Sequence, residues 1–193
     1  MRERLLPLTR HHMLQEHGFT TVELMVVVGI LGVLISLAAP SFAALIERWR
    51  VVTVTDQLKA TLHYARSEAM KRGGKVLVQR LPNNQNGCSS AIQTSYWDCG
   101  WFVCEDTNDN GKCGATEPVL QRYVAPAGVQ VSRTSTSGEV IKLNRWGLVA
   151  GKYIGFNIVP LDKSVSSPAA KGLCMSSGGR IRVISSEDIP CKN

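Results

Sequence analysis

Arg180 and Arg182 stand one residue apart in the run Gly179-Arg180-Ile181-Arg182-Val183-Ile184 near the C-terminus. If that run is a strand, both arginines leave the same face, because successive side chains alternate, and Ile181 and Val183 turn to the core. Two guanidinium groups side by side suit phosphate oxygens, which Arg grips bidentately. Gly178 and Gly179 leave the approach open, and Lys171 and Lys192 lie within reach along the chain. Contacts of this kind hold a nucleic-acid backbone and do not read its bases, so binding would be sequence-independent and steeply salt-dependent. The competing reading is a solvated strand face whose arginines pair with Glu187 and Asp188.

The charge distribution supports a basic C-terminal region. The chain carries a formal net charge of +7 over 193 residues, and from Lys142 onward eight Lys/Arg face three acids. The stretch from Asp98 to Glu117 has the opposite sign, with five acids and only Lys112 opposing them. Within it, Asp106, Asn108, Asn110, Gly111 and Glu117 occupy positions 1, 3, 5, 6 and 12 of a calcium-loop pattern, which offers oxygen ligands at suitable spacing. Against calcium as a cofactor, a strand-like run precedes the loop where a helix is required, and Cys113 takes the apolar position; a plain hairpin turn fits as well.

Six cysteines, Cys88, Cys99, Cys104, Cys113, Cys174 and Cys191, lie in the C-terminal part, and none forms a CxxC pair. Their number and spacing fit disulfides in an oxidising compartment better than zinc or thiol chemistry. Six cysteines allow fifteen pairings; bonds between sequence neighbours are the expectation, Cys88 with Cys99, Cys104 with Cys113, and Cys174 with Cys191. No catalytic set emerges. Of four histidines, only His63 follows the N-terminal segment, so a non-enzymatic protein is expected. Trp97, Trp101 and Trp146 could stack on bases, although aromatic residues beside strands are more often core.

The elements that must position these groups begin with a long helix. Residues 1–18 contain Arg2, Arg4 and Arg10, end in Gly18, and lack the apolar core of an ordinary secretory leader. The 21 residues from Phe19 to Ala39 hold one ionisable group, Glu23, and are long enough to span a bilayer. A carboxylate there costs roughly 2.5–3.5 kcal/mol at the bilayer centre and less near its edge, so Glu23 needs a function or a partner. After Pro40, Val54, Leu58, Leu62, Ala65 and Ala69 form one apolar stripe, and Gly73-Gly74 supplies a stop. Phe19 to Arg72 would make a helix of about 80 Å. Beyond it, alternation predicts strands over 75–81, 100–104, 118–124, 138–143, 153–159, 171–175 and 179–184. The stretch 81–95 reads as a surface loop. The fold class is α+β, with a long helix laid on an antiparallel β head. The expected division is a segment 1–18, a membrane-length helix 19–39, an amphipathic helix 40–74 and a head 75–193.

The N-terminal GFTTVE, with Gly18, Phe19 and Glu23 at these spacings and Pro40 further on, resembles the class III leader of type IV pilins and pseudopilins. The helical ARSEAMKRG (65–73), GWFVCEDTNDNG (100–111) with EPVL (117–120), and GRIRV (179–183) together resemble the FimT/GspH class of minor pilins and pseudopilins. That resemblance implies the pilin fold, removal of residues 1–18 by a prepilin peptidase, and methylation of Phe19. It also implies pairing of Glu23 with a neighbouring pilin subunit's N-terminus, and Pro40 as a helix-kinking residue. It implies a single-pass inner-membrane protein with a periplasmic head, assembled into a type IV pilus or a type II secretion pseudopilus at the cell surface. FimT-like relatives are associated with DNA uptake in natural transformation through a GRxR segment, which Gly179, Arg180, Ile181 and Arg182 match. DNA is thus an implied partner; the alternative is a structural, assembly-priming pilin or GspH-like pseudopilin that binds none. The chain departs from the class in its many cysteines.

Overall fold

Thr20 opens the helix: its hydroxyl accepts the Glu23 N–H at 3.2 Å, and its carbonyl accepts the Leu24 N–H. This is half of a capping box, with a threonine at the cap and an acid three residues later. The helix, α1, spans Thr21–Lys71. It ends where Gly73 adopts a positive φ of 68° and the Gly74 N–H returns to the Ala69 carbonyl, an end that glycine reaches without steric cost. The computed structural model describes residues 18–84, 88, 93–134, 138–149, 151 and 153–192. The expected leader lies outside them except for Gly18. Phe42–Asn193 form one compact unit, and the residues before Phe42 form a second.

Eight strands follow: β1 (Val76–Arg80), β2 (Trp101–Glu105), β3 (Val119–Tyr123), β4 (Val129–Arg133), β5 (Val140–Leu143), β6 (Ile154–Pro160), β7 (Lys171–Met175) and β8 (Ile181–Ser185). They form two four-stranded sheets, ordered β3-β2-β1-β5 and β4-β6-β7-β8, with every pairing antiparallel. Alternation predicts every strand except β4, although Val129-Gln130-Val131-Ser132 alternates with period two. The segment before β2 bridges the two sheets. Trp97 N–H donates to the Val131 carbonyl at 2.7 Å, and Val131 N–H donates to the Asp98 carboxylate at 2.6 Å.

The core lies between the sheets and one face of α1. Val51, Val54, Leu58, Leu62, Ala65 and Ala69 are fully buried, against Val76, Val78, Val103, Ile141, Phe156, Leu173 and others. Each buried Leu contributes about 1.5–3 kcal/mol by leaving water. Truncating Leu62 to Ala would cost about 2–5 kcal/mol once the cavity is included. Trp97 and Trp101 also belong to this core. Trp97 packs edge-on to Phe156, and the Trp101 indole N–H donates to Thr61 Oγ1 at 3.0 Å. All six cysteines are paired, and the partners are sequence neighbours: Cys88–Cys99, Cys104–Cys113 and Cys174–Cys191.

The unit before Phe42 has the opposite character. Its large apolar side chains from Phe19 to Leu37 are all at least 45% exposed, uncovered among the described residues. Among the described residues no single helix is long and apolar enough to cross a membrane; Thr21–Leu37 passes that test only together with Phe42–Lys71.

Candidate nucleic-acid interface

The β7–β8 turn presents the first arginine. Ser176 N–H donates to the Arg180 carbonyl, Gly179 N–H donates to the Ser176 carbonyl, and Arg180 N–H donates to Ser176 Oγ. Arg180 therefore sits in the tight turn, one residue ahead of β8. Arg182 lies on β8 opposite Cys174, on the face away from Leu173 and Met175. Ile181 packs against the core as expected, but Val183 is 39% exposed, because β8 is an edge strand with little to cover it.

Both arginines line one cleft of about 280 Å³ with Lys192, Tyr153, Ser176 and the Cys174–Cys191 bridge. The bridge brings the C-terminal segment back to β7, and Arg182 Nη2 donates to the Lys192 carbonyl at 2.7 Å. Three cations thus line one cleft in which, among the described residues, no carboxylate lines the wall. Among the described residues none of the three has an acidic partner, and Asp188 accepts instead from the Ser185 hydroxyl. Lys171 is not brought in. It pairs with Ser185 at the far end of the β7–β8 hairpin, because antiparallel pairing sends the start of β7 away from the turn.

Gly179 also plays a different part from the open approach expected of it. It is buried with φ of 81°, and a Cβ there would lie 2.6 Å from Nη2 of Arg66. Arg66, on α1, donates to the carbonyls of Gly147 and Gly179. Sequence reading missed this residue; the signal was only that ARSEAMKRG and GRIRV occur in one chain.

The acidic loop is closed on itself. Asp106 is fully buried, and its two oxygens accept the N–H groups of Asn110 and Gly111, each at 2.9 Å. Glu117 accepts from Gly114, Thr107 and Asn108. The Gly114 N–H chiefly holds the Glu117 carboxyl below the usual carboxylate range, with the other two adding to it. Asn108 and Asn110 side chains accept backbone N–H groups within the loop. These groups therefore stabilise the turn that Cys104–Cys113 staples. Gly18, Phe19 and Glu23 stand together at the start of α1, with Phe19 82% exposed, and Pro40 lies within the helix.

The chain also resembles known proteins. The family model described as type II transport protein GspH matches residues 54–184, more than half of the chain. Two crystal structures of the type IV minor pilin FimU from Pseudomonas aeruginosa share the fold. One has a TM-score of 0.55 at 21% identity, covering 75% of this chain and 95% of that one; the other has 0.52 at 20%, covering 72% and 95%. The sequence has no significant match among curated proteins. With a long helix laid on antiparallel sheets and a family match from the helix into β8, this chain belongs to the GspH family and has the pilin fold.

Proposed function

We propose that this chain is a FimT-like minor pilin that enters a filament and offers Arg180, Arg182 and Lys192 to the backbone of extracellular DNA during uptake. The observation that carries the reading is the convergence of these three cations on one cleft where, among the described residues, they have no acidic partner and no carboxylate lines the wall. Phosphate oxygens suit such a site, and a site built for the backbone takes any sequence.

In the same reading a prepilin peptidase cuts after Gly18 and Phe19 is methylated. The bare apolar surface from Phe19 to Leu37 supports an inner-membrane anchor that later passes into the packed interior of a filament. There Glu23 meets the new N-terminal amine of a neighbouring pilin subunit, which offsets the cost of a carboxylate in an apolar medium. The description of the matching family favours a second reading, a type II secretion pseudopilin with an indifferent basic surface.

A mobility-shift titration separates the two, with the full chain in detergent and duplexes of unrelated sequence. The first reading predicts similar shifts for all duplexes and a weakened shift on replacing Arg180 and Arg182 with Ala. A wild-type chain that shifts none of them leaves the pseudopilin reading.

A further inference from the structure

The structure separates the tryptophans. Trp97 and Trp101 are fully buried, whereas Trp146 is 68% exposed. Trp49, also exposed, lies on α1 with the exposed Phe42, Leu45 and Ile46. Trp146 stands at the tip of the turn between β5 and β6, beside the exposed Arg145.

That turn is rigid. Asn144 Oδ1 accepts the N–H groups of Trp146 at 2.9 Å and Leu148 at 3.0 Å, and the Asn144 carbonyl accepts Gly147 N–H. The turn is also fixed beside the basic cleft. The Arg66 guanidinium bonds the carbonyl of the residue after Trp146 and the carbonyl of the residue before Arg180. Leu148 packs so closely on the β7–β8 turn that a Cβ at Gly179 would lie 3.1 Å from its Cδ2. The turn that carries the uncovered indole and Arg145 is thus tied through Arg66 to the turn that carries Arg180.

Covering an exposed indole removes apolar surface from water, and a covering group that carries negative charge suits the cations nearby. A nucleobase attached to a phosphate chain meets both conditions. Stacking needs an accessible base face, which duplex DNA offers only at its ends.

We propose that Trp146 is a stacking platform for an unpaired base, so that this end of the head holds single-stranded DNA more tightly than duplex. The proposal rests on the DNA-binding reading above and names the form of nucleic acid the site prefers. Phosphates meet Arg180 and Arg182 in either form, and only the single strand gains the indole. One stacked base is worth on the order of tenfold in affinity.

The test is a fluorescence-anisotropy titration of the full chain in detergent, with a labelled oligothymidylate and with a labelled blunt duplex. W146A should weaken single-strand binding roughly tenfold and leave duplex binding within about a factor of two. W146F should keep most of the single-strand affinity, and replacing Arg180 and Arg182 with Ala should weaken both ligands. A wild type that binds both forms, with W146A equal to it on each or weakened equally on both, overturns this proposal alone. A wild type that binds neither form overturns the DNA-binding reading and this proposal with it.

Discussion

Arg66 donates from Nε to the Gly147 carbonyl at 3.0 Å and from Nη1 to the Gly179 carbonyl at 2.5 Å, so one helical guanidinium pins two turns far along the chain. Its place is vacated by glycine: a Cβ at Gly179 would collide with Nη2. The helix thereby sets the position of the turn that carries Arg180, and the basic cleft is only as well formed as that contact.

Removing the contact should be costly and the cost should be shared. A hydrogen bond from a charged donor is worth about 1.5–3 kcal/mol, so Arg66→Ala should destabilise the protein by at least about 2 kcal/mol. A methyl group at φ of 81° adds strain of about 1–3 kcal/mol, so Gly179→Ala should also destabilise it. Because both changes disrupt one contact, the double variant should lose less than the sum. Thermal melts of the three variants measure this, and strict additivity would contradict the linkage.

The long helix, its buried stripe at Val54, Leu58, Leu62, Ala65 and Ala69, and most strands were legible because periodicity is a local property of the chain. The Arg66 contact was not, because nothing in an exposed-looking helical arginine says that two glycine carbonyls 81 and 113 residues away will meet it. Strand β4 carries a readable alternation but follows directly on Pro126-Ala127-Gly128, which reads as a turn. Strand alternation places Arg182 on β8, whereas Arg180 lies one residue ahead of it in the β7–β8 turn. Lys171 was misplaced because closeness in sequence to Cys174 does not decide which end of an antiparallel hairpin a side chain occupies.

Asp98 should make stability depend on pH. Burial pushes its carboxyl up to about 6, partly offset by the Val131 N–H. Below about pH 4 it is protonated in both folded and unfolded chains. Between about 4 and 6 the unfolded chain releases the proton first, so stability falls as pH rises through that window. Asp98→Asn keeps an acceptor for Val131 and removes the charge. It should stabilise the protein at pH 7 by up to about 3 kcal/mol, at 1.36 kcal/mol per pH unit, with the gain fading near pH 4. Denaturant midpoints of both proteins at pH 4 and pH 7 check this; an equal difference at both would reject it.

The Cys174–Cys191 bond closes a loop with a sequence separation of 17, which is worth about 3 kcal/mol in unfolded-state entropy. Replacing both cysteines with Ala should lower stability by about that amount and release Lys192 from the cleft. DNA affinity should then fall in conditions where the protein is still folded. Circular dichroism alongside the binding titration separates the two effects.

At the N-terminus, Glu23→Leu should leave the head's melting temperature unchanged, since the side chain lies outside the compact unit from Phe42 onward, yet reduce recovery of the protein in sheared filaments. Normal incorporation of that variant would remove the pairing assigned to the carboxylate.

The central claim is that the cleft grips phosphates, and the salt dependence of binding tests it most directly. With about three phosphates neutralised, the logarithm of the duplex association constant should fall with the logarithm of salt concentration at a slope of roughly −3. Replacing Arg180 and Arg182 with Ala should flatten that slope by about 2. A slope identical to wild type would contradict the account.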